Sequence, residues 1–133
     1  MVIYTSYFGN NRKLTAANIK SICIAVGRPR FFSGPQMLNV APTRYMISAA
    51  CSTKEYIKLY EDILSSQDAF KVLEQIKSLS EGKDVALCCY EKPEDFCHRH
   101  LLAEWITKNT GIEIKEFGVS EKITPEYIQQ SFF

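Results

Sequence analysis

Residues Val85 to Phe117 read VALCCYEKPEDFCHRHLLAEWITKNTGIEIKEF, and this stretch decides the fold. Val85-Ala86-Leu87-Cys88-Cys89-Tyr90 is apolar at odd and even positions alike, the pattern of a central strand covered on both faces. Asp95 is placed to cap a helix whose inner face carries Leu101, Leu102, Trp105 and Ile106. Gly111 suits the end of that helix, and Ile112 to Phe117 alternates as a further strand. A strand, a helix and a second strand in this order predict a parallel pair with a right-handed crossover.

Toward the N-terminus, Val2 to Tyr7 is a short β-rich run, followed by a turn at Gly9-Asn10-Asn11 and a short helix over Leu14 to Lys20. Ser21 to Val26 reads as a buried strand ended by Gly27 and Pro29. Arg28 to Pro42 carries three prolines and a glycine, an irregular loop of a length more often functional than accidental. Thr53 caps a helix with Tyr56, Ile57, Tyr60, Ile63 and Leu64 at helical spacing. A second helix carries Phe70, Val72, Leu73, Ile76 and Leu79, with Gly82 as its left-handed cap. Thr124-Pro125 marks a short terminal helix. The expected fold is one α/β domain: a small, mostly parallel sheet with helices on both faces, a Rossmann-like three-layer arrangement.

Composition narrows the function classes. With 46% hydrophobic residues and a net charge of +1 over 133 residues, the chain has the makings of a core and not of a disordered segment. The longest apolar runs fall far short of the roughly 20 residues a membrane span needs. Sixteen basic against fifteen acidic residues do not describe a dedicated nucleic-acid binder. Met1-Val2-Ile3-Tyr4-Thr5 has no secretory pattern, so a cytoplasmic protein with five free thiols is expected.

Open parallel sheets place ligands beyond the carboxyl ends of their strands. There Cys89 and Glu91 end the central strand, and Cys97, His98 and Arg99 open the next helix. A helix start offers unpaired N–H groups and partial positive charge, so it suits an anion, and Arg99 adds a fork of donors. The same field acidifies the Cys97 thiol. Cys97 or Cys89 is the candidate nucleophile, Glu91 the acid–base or ligand-orienting group, and His98 a proton shuttle near neutral pH. Arg99, with Arg28 and Arg30 after the preceding strand, is expected to hold a small anionic ligand such as a nucleotide or another phosphorylated molecule. The residues name no cofactor.

The string Leu87-Cys88-Cys89-Tyr90-Glu91, then Cys97-His98-Arg99, then Leu101-Leu102-Ala103-Glu104-Trp105 resembles the signature of domain-of-unknown-function family 488. Arg28-Pro29-Arg30-Phe31 and Leu38-Asn39-Val40-Ala41-Pro42 add weaker support. The resemblance implies a small α/β fold and a site around these motifs, and leaves the reaction open. Many members carry an Asp shortly before the first arginine, where this chain has Ala25-Val26-Gly27.

Plainer readings stand beside these. Cys88, Cys89, Cys23 and Cys51 are small apolar residues that pack well, and at most one of Cys88 and Cys89 faces the site. Phe31, Phe32 and Tyr45 either offer flat faces to a ring or pin the loop to the core. His100 is expected at the surface. A structural zinc site is disfavoured, because Cys89 and Cys97 are widely spaced and adjacent Cys97 and His98 diverge on a helix. A cysteine-phosphatase cradle fails because the sixth residue after Cys89 is Asp95. The leading rival is a nucleic-acid-binding or repair-associated module using Arg12, Lys13, Arg28, Arg30 and Arg44, and a Cys/His metal site is the next alternative.

Overall fold

The computed structural model describes residues 1–91 and 96–118. Asp95 as a helix cap and the helix expected at Thr124-Pro125 lie outside these residues. The described elements are strands β1 (Ile3–Tyr7), β2 (Ile19–Cys23), β3 (Asp84–Cys89) and β4 (Ile114–Glu116), and helices α1 (Asn11–Ala16), α2 (Thr53–Ser65), α3 (Ala69–Leu79) and α4 (His98–Thr110). The strands form a parallel sheet in the order β2-β3-β1-β4. Every residue of β3 from Val85 to Cys89 is buried, as its two-sided apolar pattern requires. Helix α4 lies against β3, β1 and β4, α2 and α3 pack on α4, and α1 rests on β2. The result is the expected α/β architecture of three-layer type.

Local chemistry sets the boundaries, and it shifts several of them. Helix α1 stops at Ala16, short of Lys20, because Asn18 adopts a left-handed conformation (φ 60°) and turns the chain into β2. Strand β2 pairs from Ile19 and ends at Cys23, where residues 35–37 of the following loop bond to its outer edge. The cap of α2 is Ser52 and not Thr53: its hydroxyl accepts from the Glu55 N–H at 3.1 Å. Helix α3 is capped by Asp68 and closes at Ser80, before Gly82. Gly111 ends α4 with φ 77° as expected, its N–H bonding the Thr107 carbonyl.

The long loop after β2 is anchored from within. The Gln36 amide donates to the carbonyls of Ala25 and Val26, both at 3.0 Å. The fully buried Tyr60 hydroxyl donates to the Val40 carbonyl at 2.6 Å. Phe32 packs edge-on against Phe8, whereas Phe31 and Tyr45 are exposed. Phe32 is thus a pin, and the other two are free of the core.

Candidate functional site

Alternation along β3 separates its two cysteines. The register Tyr7–Cys89, Thr5–Leu87 and Thr5–Glu116 puts Cys89 on the α4 side with Thr5 and Glu116. Cys88 faces the other way, level with Cys23, and burial pushes its thiol up to about 12. Burial likewise raises the Cys23 thiol. These two are buried core residues.

At the carboxyl ends of β2 and β3 a cavity of about 340 Å³ opens. Its walls come from Ala25 to Gly27 after β2, Cys89 to Glu91 after β3, Phe96 to His98 at the start of α4, and Pro42, Ile47 and Tyr56. The strand tip and the helix start therefore meet at one hollow, and Cys89, Glu91, Cys97 and His98 all line it. A second cavity of about 250 Å³, lined by Lys20, Phe31 and Lys83, lies by the amino ends of β2 and β3, away from this chemistry.

Cys89 and Cys97 are joined as a disulfide, and Cys23, Cys51 and Cys88 are free. The expectation of five free thiols is thus corrected for this pair, which alternation along β3 and the start of α4 place on the same side of the sheet. Cys97 is the N-cap of α4, with an extended backbone (φ −152°, ψ 144°), so its side chain does not follow the helical rotation. That corrects the expected divergence of Cys97 and His98: Cys97 Sγ lies 3.6 Å from His98 Nδ1.

His98 is buried, and its Nε2 sits 2.6 Å from the Ile24 carbonyl. A carbonyl only accepts, so Nε2 carries the proton and Nδ1 presents its lone pair to Cys97. Burial, helped by the nearby Arg99 charge and opposed by the Ile24 bond, lowers the His98 pKa to about 4. A shuttle titrating near neutral pH is therefore replaced by a fixed, neutral acceptor.

Among the described residues, Arg99 is the largest fully buried side chain. Its Nε and Nη2 grip the two oxygens of Glu116, each at 3.1 Å, and Nη1 donates to the Glu91 carbonyl at 2.6 Å and to Cys89 Sγ at 2.8 Å. Thr5 completes the cluster by donating to Glu116 at 2.6 Å. With its fork engaged by protein acceptors, Arg99 does not reach into the cavity as the direct anion holder expected of it. It touches the cavity wall through Cys89 and the Glu91 carbonyl. Arg28 and Arg30 are exposed on the loop that leaves the cavity wall at Gly27, and Arg28 Nη1 donates to the Gly34 carbonyl. Arg12, Lys13 and Arg44 are exposed as well. His100, expected outside, is buried.

Sequence reasoning passed over Glu116. The signal was present, because Glu116 shares its parity with Ile112 and Ile114 in an alternating strand, and a carboxylate in that inward register needs a partner. Among the described residues, Cys89, Cys97 and His98 also bring three soft donors within 4.8 Å of one another.

A parallel α/β protein with a cysteine pair, a neutral histidine and a buried arginine at its strand ends is the class that this geometry defines. The chain belongs to the DUF488 family: residues 22–110 match the model described as the Active DUF488-N3 subclade, DUF488-N3a. No curated protein and no solved structure matches the chain. No helix among the described residues is long and apolar enough to cross a membrane.

Proposed function

We propose that this protein is a thiol-dependent enzyme acting on a small anionic molecule, with Cys89 as its nucleophile in the reduced state. One observation carries the reading: a buried guanidinium donates to Cys89 Sγ at 2.8 Å on the wall of the cavity. A hydrogen bond from a fixed cation favours thiolate over thiol, and the thiolate is the reactive form. The start of α4, with no side-chain cap at Cys97, turns its free N–H groups and partial positive charge toward the same hollow. Glu91 stands on the rim to orient a hydroxyl or amine, and Arg28 and Arg30 draw anions toward the opening. A phosphate- or nucleotide-like ligand fits this polarity, with Ile47, Tyr56 and Phe96 against its apolar part.

The test is residue-mapped alkylation of the reduced protein at pH 7. Cys89 is expected to react with iodoacetate about tenfold faster than an unfolded cysteine does, from its higher thiolate fraction. Inorganic phosphate should slow that reaction. A Cys89 that reacts no faster than in the denatured chain overturns the proposal.

A second reading rests on the three donors within 4.8 Å. Once the sulfurs are reduced, they and His98 Nδ1 suit a soft cation such as zinc, with the Nε2–Ile24 bond fixing the ring as metal-binding histidines require. Equimolar zinc should then block alkylation of both Cys89 and Cys97 until a chelator is added. Unchanged alkylation removes this reading.

A further inference from the structure

The two sulfurs differ in company. Cys89 Sγ accepts from the Arg99 guanidinium, whereas Cys97 Sγ faces the bare Nδ1 of a neutral imidazole. Once the disulfide is reduced, the guanidinium favours a thiolate at Cys89, and Nδ1 offers an acceptor to the Cys97 S–H. Both line the same cavity, and they are close enough to be bonded to each other. A single catalytic thiol requires no such partner. A pair in which one sulfur attacks and the other resolves requires this proximity and this asymmetry.

We propose that Cys89 and Cys97 form an exchanging pair whose substrate class is a small disulfide bearing anionic groups. This rests on the thiol-dependent reading above and names its substrate and its second cysteine. The Cys89 thiolate attacks one sulfur of the substrate R–S–S–R, whose bond breaks to release one RS⁻ and leave Cys89 in a mixed disulfide. Cys97 then attacks Cys89 Sγ and the second RS leaves, taking up the proton that Cys97 gives away. Two electrons have passed from the protein thiols to the substrate, and the protein ends as the Cys89–Cys97 disulfide. A low-mass thiol reductant returns it to the dithiol by the reverse exchange. His98 accepts the Cys97 S–H at Nδ1 until the second step, its Nε2–H being given to the Ile24 carbonyl. Arg99 stabilises Cys89 both as attacking and as departing thiolate, so both directions pass through the same sulfur.

The experiment uses the full-length reduced chain with two probes, oxidised glutathione, which carries carboxylates, and the uncharged bis(2-hydroxyethyl) disulfide. Products are followed by intact mass and peptide mapping. Wild type should go to the internal disulfide with release of both probe thiols. Cys97→Ser should stop at a mixed disulfide on Cys89, and Cys89→Ser should form adducts at least about tenfold more slowly, as expected of an attacking thiol lost. Oxidised glutathione should outrun the neutral probe. Acid-quenched wild type should show the same transient Cys89 adduct, which tests the order without any substitution. An adduct that accumulates on Cys97, or on Cys51 as fast as on Cys89, overturns the inference. So does equal reaction with both probes. Rapid alkylation of Cys89 without exchange overturns the exchanging pair and leaves the thiol-dependent reading standing; loss of both overturns both.

Discussion

Arg99 and Glu116 hold each other in a two-pronged ion pair, 3.1 Å at each prong, with their side chains 0% and 4% exposed. The pair joins the first turn of α4 to the edge strand β4 and fixes the nitrogen that reaches Cys89. Removing one partner of such a buried pair leaves the other charge uncompensated, which costs about 3–5 kcal/mol. Glu116→Ala should therefore lower the urea midpoint strongly. Arg99→Met combined with Glu116→Leu should recover much of that loss, and should abolish the enhanced reactivity of Cys89. A fully stable Glu116→Ala protein would deny the pair its structural role.

His98 ties stability to pH. Its folded pKa of about 4 lies below the unfolded value near 6.5, so between these values the unfolded chain binds a proton that the native chain does not. Stability from this group is complete above pH 6.5 and declines as pH falls toward 4, by about 3 kcal/mol in all. Chemical denaturation of His98→Gln across this range should show a shallower slope than wild type. Parallel slopes would place the titration elsewhere.

Gly34 marks a close approach of the long loop to β2. A Cβ there would stand 2.7 Å from the Ser21 carbonyl oxygen and 2.8 Å from the Phe32 ring. Gly34→Ala should destabilise by about 1–3 kcal/mol, the range for overpacking, as read from the thermal midpoint. Gly27→Ala, with open space around its Cβ, is the matched control and should change little.

Tyr60 anchors the same loop from α2. Tyr60→Phe leaves the Val40 carbonyl without its 2.6 Å donor in a buried place, a loss of about 1–3 kcal/mol. Amide exchange should quicken around Val40 more than in β3. Uniform quickening would mean that the bond supports the whole fold and not the loop.

Much of this architecture is legible in the letters. The two-sided apolar run at Val85 to Cys89 and the glycine at Gly111 reveal β3 and the end of α4, because burial on both faces and a left-handed cap leave local signatures. The meeting of strand tip and helix start follows from the general rule for open parallel sheets. Three features do not follow. The end of β2 depends on residues 35–37 pairing from a distant loop. The state of His98 depends on the Ile24 carbonyl, 74 residues away, and on burial. The use of Arg99 depends on Glu116 in a strand on the far side of β1, and nothing in the Cys97-His98-Arg99 motif tells an inward guanidinium from a ligand-facing one. Each is a long-range contact, and periodicity records only the local ones.

The proposed function requires that, in the reduced protein, Arg99 hold Cys89 as a thiolate at the cavity wall. It is tested most directly by the pH dependence of Cys89 alkylation in the reduced, native protein, resolved by peptide mapping. The midpoint is expected to fall below that of a free cysteine, about 8.5. A midpoint at or above the free value would contradict it.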